Sequence, residues 1–159
     1  MKRAVLVHPN PELKIASLHV DEARFGSDEL NELVKDLKEA MEEDKGIGIA
    51  APQVGVHDRL IIVDMADSGP TAFVNPKIVS RSMSKIDFEE GCLSVPGVYG
   101  MVERHKKVKV KAYSQDGYPV TLSLKGTLAV VFQHEIDHLD GILFIEKVKV
   151  YTHGGNVQI

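Results

Sequence analysis

VKVKAYSQDGYPVTLSLKGTLAVVFQHEIDHLDG, residues 108–141, decides the fold. Val108, Val110 and Ala112 alternate with Lys109, Lys111 and Tyr113, the period of a strand with one buried face. Gln115-Asp116-Gly117 is a turn signal and Tyr118–Leu124 alternates again, so the two runs are expected to pair as a hairpin. From Leu128 the period lengthens to that of a helix. Val131, Phe132 and Leu139 lie on its apolar side and Gly141 stops it.

The same reading extends in both directions. Ser27 can cap a helix over 27–41, whose stripe is Leu30, Leu33, Val34, Leu37 and Met41. Leu60–Val63 reads as a buried strand. Ala72–Val79 is strand-like but interrupted by Asn75-Pro76, which suggests an edge strand or a bend. Arg104–Lys111 is rich in positive charge and reads as a solvated sheet face. Strands cluster in the middle with a helix on each side. The expected class is α+β, with mixed or antiparallel sheets packed around the helix of residues 128–139, and not a doubly wound fold.

The chain has 159 residues, enough for one domain over 1–159 with a sizeable core. Residues 150–159 are expected to form a short polar tail. Hydrophobic residues make up 43% and charged residues 26%, an ordinary globular balance. A net charge of −4 leaves no global basic field, and there is no nucleic-acid motif. No apolar run is long enough to span a bilayer, and the N-terminus has no signal-peptide core, so a cytoplasmic protein is expected. A lone cysteine, Cys92, excludes an intrachain disulfide. It is a buried hydrophobe, a nucleophile or a metal ligand.

His134-Glu135-Ile136-Asp137-His138 carries chemistry. Residues four apart on a helix differ by about 40° in direction, so both imidazoles can reach one metal. Glu135 points about 100° from His134 and can approach water on the metal without ligating. The plain alternative is a helix with two ordinary histidines. Burying two histidines and two acids without partners would be costly, which favours a metal. Two histidines leave a site incomplete. Downstream stand only Glu146, too near along the chain, and His153, in the polar tail. Upstream, Cys92 sits in the glycine-flanked turn Glu90–Gly97. A thiolate with two neutral imidazoles suits zinc or ferrous iron. His8, His19, His57 and His105 are assigned to the surface. Asp137 is expected to orient a ligand histidine or to pair with Arg104.

Gly46-Ile47-Gly48-Ile49-Ala50-Ala51-Pro52-Gln53 has the glycine spacing of a dinucleotide-binding turn, and Asp64 lies near the usual distance beyond it. The context fails: an acidic helix precedes the glycines where a strand should, and Pro52 and Gly55 interrupt the helix that should come after them. The better reading is a tight loop whose backbone lies against a substrate, with Gln53 supplying an amide donor. A purely structural turn is the alternative.

Taken together, GIGIAAPQ at 46–53, EGCLS at 90–94 and QHEIDH at 133–138 resemble the peptide deformylase family in type, order and spacing. The resemblance implies removal of the formyl group from the N-terminal methionine of new chains. It implies that Cys92, His134 and His138 bind one divalent metal, ferrous iron in the cell, with nickel, cobalt or zinc as substitutes. Glu135 would be general base and then general acid, and Gln53 and the backbone N–H of Leu93 would stabilise the oxyanion. The backbone around Ile47, Gly48 and Gly91 would pair with the substrate as a strand does. Gly46, Gly48 and Gly91 permit close approach, and Glu90 is expected to contact substrate. Val130, Val131, Ile47 and Phe88 are candidate walls of a methionine pocket, with core packing the alternative. Tyr99 stands where some relatives carry arginine near the substrate backbone, and Glu146 where aspartate is common. The expected partners are N-formyl-methionyl peptides, with transient ribosome contact. The tail is not expected to form the C-terminal helix through which some relatives dock. An endopeptidase using the same helix, and a catalytically silent metal- or peptide-binding relative, are the competing readings. Cys92 and the narrow glycine loop argue against the first, intact Glu135 and Gln53 against the second.

Overall fold

The structure is a computed structural model that describes residues 3–155. Two helices and eight strands carry the described chain, with short 3-10 turns between them. Helix α1 spans Asp28–Glu43, and Ser27 accepts a hydrogen bond from the Leu30 N–H at 3.2 Å, the expected cap. Strands β1 (Gly48–Ala50), β2 (Leu60–Asp64), β3 (Pro70–Arg81), β6 (Lys107–Tyr113) and β7 (Pro119–Lys125) form one sheet in the order β1-β2-β3-β6-β7. Strands β4 (Lys85–Cys92), β5 (Val95–His105) and β8 (Val148–His153) form a second, in the order β4-β5-β8. Helix α2 spans Thr127–Leu139.

Every strand pairing is antiparallel. The β6–β7 hairpin pairs Val108 with Leu124 and Val110 with Leu122, as the alternation requires. β2 is buried on both faces. Leu60 and Ile62 pack with the α1 stripe, while Ile61 and Val63 pack with Phe132, Ile136 and Leu139 of α2. A third core joins Val95, Val98 and Val102 of β5 to Leu143, Phe144 and Ile145, just beyond α2. The metal-motif helix therefore lies between the two sheets, which is why ten of its thirteen residues are buried.

The close of α2 sets up that third core. Gly141, at φ 75°, donates its N–H to the His138 carbonyl at 3.1 Å, and Ile142 donates to the Asp137 carbonyl at 2.9 Å. These are the paired hydrogen bonds of a glycine-terminated helix, and they turn the chain straight into Leu143.

Three expectations change. Ala72–Val79 belongs to a central strand, not an edge; Asn75, at φ 51°, is the bend, and the register with β6 shifts between Val74 and Lys77. Residues 150–153 are not tail: they belong to β8 and pair with β5, Tyr99 facing His153 and Met101 facing Val150. Of the rest of the expected tail, Gly154 and Gly155 are exposed and outside any strand, and 156–159 lie outside the described residues. Arg104 does not belong to a solvated face; it is 3% exposed. On β5 it shares the buried parity of Val98, Gly100 and Val102.

Candidate metal centre and substrate cleft

The centre forms where the end of β4 meets the middle of α2. Helical spacing brings His134 and His138 together, with ring centroids 5.0 Å apart. Cys92, the last residue of β4, approaches them from the other sheet. Its Sγ lies 3.3 Å from His138 Nε2, and the ligand atoms of Cys92, His134 and His138 all fall within 4.8 Å of one another. His134 is 7% exposed and His138 1%.

A polar network holds this triad. Arg104 donates from Nε to Glu90 Oε2 at 2.7 Å, from Nη2 to Glu90 Oε1 at 2.9 Å and from Nη1 to Asp137 Oδ2 at 2.6 Å. Glu90 Oε1 also takes His134 Nδ1 at 2.8 Å, which leaves Nε2 of that ring for a cation. Burial would push Glu90 up, but its hydrogen bonds to Arg104 and His134 hold it down at about 2, so it is an anion. Asp137 is the partner of Arg104, and Lys147 reaches it at 2.9 Å. Glu90 is also the residue expected to contact substrate. It stands in the cleft wall, but both its oxygens are taken by Arg104 and His134.

The residues fit a divalent cation. Burial would lower His134, yet the Cys92 sulfur and the Glu90 carboxylate hold it well above its ordinary value, so the pocket favours positive charge at this ring. Burial and the positive charge of His134 press His138 well below its own, which keeps it a neutral ligand. A thiolate and two imidazoles match the tetrahedral zinc or ferrous donor set with one position open.

Glu135 faces the centre. Burial pushes its carboxyl up to about 7, against the pull of His134. Its Oε1 is buried with no hydrogen-bond partner. Its Oε2 lies so close to Gly48 that an added Cβ there would stand 2.7 Å away. That contact requires the second glycine of the loop. Gln53, 1% exposed, accepts from the Ala50 N–H at 2.9 Å, which fixes its amide. Its Nε2 then donates to Ser94 Oγ at 3.1 Å and lies 3.6 Å from Cys92 Sγ. Leu93 occupies the tight turn between β4 and β5, next to the ligand.

These groups open into a cleft of about 700 Å³. Gly46, Ile47, Gly48, Phe88, Gly91, Tyr99, Val130 and Val131 all line it. β1 and β4 are each the edge of their sheet, so two strand edges flank it. The Tyr99 ring lies on Gly91, where a Cβ would meet it at 2.5 Å. Of the four histidines assigned to the surface, His8, His57 and His105 are half-buried and His19 is exposed. His105 Nδ1 bonds the Ser82 carbonyl at 2.8 Å, and none of the four joins the cleft. Glu146 pairs with Lys14 and accepts from the Leu143 N–H, far from the ligands' role. The reading of the residues paired Arg104 with Asp137, as found, but missed its burial, and it missed Ser94. The signal for the burial of Arg104 was its parity on β5 with Val98 and Val102.

A cysteine, two histidines and a carboxyl near neutrality at the foot of a cleft define a metal-dependent hydrolase. The family model described as polypeptide deformylase matches residues 2–153. A peptide deformylase of Neisseria gonorrhoeae is 40% identical over 152 residues, covering 94% of this chain and 89% of that protein. One from Stutzerimonas stutzeri is 42% identical over 144 residues, covering 89% and 84%. The crystal structure of a class I type b peptide deformylase from Acinetobacter baumannii superposes with a TM-score of 0.89 at 39% identity, covering 92% of this chain and 99% of that one. That from Thermotoga maritima gives 0.89 at 36%, covering 94% and 99%. The chain belongs to the polypeptide deformylase family, hydrolases that take the formyl group from the N-terminus of new polypeptides.

Proposed function

We propose that Cys92, His134 and His138 hold one divalent cation, ferrous iron in the cell, and that Glu135 carries the proton of deformylation. Nickel, cobalt or zinc would substitute. The observation that carries this reading is the meeting of three ligand atoms within 4.8 Å beside a carboxyl pushed up to about 7. When bound, the cation supplies Lewis acidity, acidifying water and polarising the formyl oxygen. Glu135 takes a proton from the attacking water and returns it to the departing amine. Gln53 Nε2 and the Leu93 N–H donate to the formyl oxygen as charge builds, each worth about 3 kcal/mol. The Ala50 bond to Gln53 Oε1 supports this role, because it turns the amide's donor end towards Cys92.

The free edges of β1 and β4 support strand-like binding of the peptide main chain, near Ile47, Gly48 and Gly91. Val130 and Val131, with Ile47 and Phe88, form the apolar wall for methionine, and Tyr99 stands at the rim. Substrates that are new chains imply transient encounters with the ribosome and work in the cytoplasm. Among the described residues no helix is long and apolar enough to cross a membrane. The test is release of free amine from formyl-Met-Ala-Ser in oxygen-free buffer, with metal content measured on the same samples. Release is expected in the parent, and Cys92→Ala should lose metal and activity together. A Cys92→Ala protein that keeps its full metal would remove Cys92 from the ligand set.

A further inference from the structure

Away from the cleft, charge is unevenly distributed. Residues 77–85 and 105–125 hold eight of the nineteen Lys and Arg side chains and one, Asp116, of the twenty-three acids. This region carries +7 in a chain of net −4. Helix α1 is the opposite pole, with seven acids and two lysines over Asp28–Glu43.

β pairing orders the positive charges. Val108, Val110 and Ala112 fill the core beside α2, so Lys107, Lys109 and Lys111 project from the other face of β6. The register sets Lys125 opposite Lys107 and Lys77 opposite Lys111, on that same face. All five are exposed. Along β6 the lysines recur about every 6.8 Å. Among the described residues none of the five has an ion-pair partner. Like charges facing one another across strands destabilise a sheet. A lysine on an edge strand guards against aggregation, but β6 is an interior strand and its three lysines guard no edge.

Hydroxyls stand between the cations. Ser80 and Ser123 flank Lys109 on the two neighbouring strands, and Thr121 faces Lys111. The row continues into Tyr113, whose ring leans on Phe25 with centroids 5.5 Å apart, and the turn beyond carries Tyr118, 72% exposed. We infer that this outer face of the β3–β6–β7 sheet binds the sugar–phosphate backbone of single-stranded RNA. Phosphates relieve the repulsion along the lysine row. The serine and threonine hydroxyls suit the 2′-hydroxyl, and the tyrosines at the end offer stacking surfaces for unpaired bases. The lysine rows enclose hydroxyls and no apolar stripe of the kind a membrane-surface anchor inserts. Nothing in this inference uses the cleft, so it stands apart from the deformylase reading.

The test is fluorescence anisotropy of the full, metal-loaded chain with a labelled single-stranded RNA of mixed sequence, titrated at several salt concentrations. Five phosphate contacts predict a slope of log affinity against log salt of about −3.5. The triple substitution Lys107→Gln, Lys109→Gln, Lys111→Gln should bring the slope to about −1.4 and lower affinity at least about tenfold at low salt. It should melt no lower than the parent and deformylate formyl-Met-Ala-Ser at the parent's rate. DNA of the same sequence should bind more weakly. Absence of RNA binding at low salt, parental affinity in the triple variant, DNA bound as tightly as RNA, or phosphatidylserine vesicles bound more tightly than RNA would each overturn it.

Discussion

Glu135 answers two demands at once. In the proposed mechanism it takes a proton near neutral pH and gives it back, and burial supplies the raised carboxyl that this needs. Glutamine keeps the shape and removes the exchange. Glu135→Gln is expected to lower kcat by about 10²- to 10⁴-fold while elemental analysis still finds one metal per chain. A fall smaller than tenfold would mean that another group moves the proton. Gly48 guards the same carboxyl from across the cleft. In Gly48→Ala the new methyl would stand 2.7 Å from Oε2 and must displace it. Steady-state kinetics should show kcat reduced, whereas thermal melting should stay within a few degrees of the parent, since β1 has only three residues and lies at a sheet edge.

At the scale of elements, Arg104 ties β5 to β4 through Glu90 and to α2 through Asp137, and Glu90 passes the tie on to His134. One guanidinium thus fixes the angle at which the cysteine strand meets the histidine helix. Glu90 gives this tie its pH dependence. Its folded value, about 2, is below the ordinary 4.5, so its contribution is complete above pH 4.5 and fades as pH falls towards 2. The span corresponds to about 3 kcal/mol at neutral pH. Denaturant melts of metal-stripped parent and Glu90→Gln should differ by about that amount at pH 7 and converge in acid. A gap independent of pH would assign the loss to packing instead. The network was partly legible. Asp137 stood near Arg104 among the expected pairs, because Asp137 is fixed to the helix. Arg104 itself read as one more cation in an alternating basic run. Its burial depends on which face of β5 meets α2, a non-local fact.

For the whole molecule, the proposed metal ligands come from two bodies: Cys92 from the three-stranded sheet, and the histidines from a helix packed on the five-stranded one. A cation there would staple one sheet to the other. Binding at about a thousand times its dissociation constant adds about 4 kcal/mol to folding. Chelation is therefore expected to lower the melting temperature by roughly 10 °C in calorimetry, and metal return should restore it. An unchanged melt after verified metal loss would show that the sheets hold each other without it.

By itself the sequence determined what local periodicity governs. The α2 helix and its paired imidazoles, the β6–β7 hairpin, the α1 stripe with its Ser27 cap and the stop at Gly141 all come from spacings of two to four residues. The three motifs also carried the family. The tertiary structure alone decided the pairing of β8 with β5, because the two lie more than forty residues apart along the chain and their register depends on which faces are already buried. It moved residues 150–153 from tail to strand and Arg104 from surface to the heart of the centre. It made Glu90 the anchor of His134. The residue types and spacings of the hydrolase were written along the chain; the angle at which its thiolate meets its histidines was set by two sheets closing on one helix.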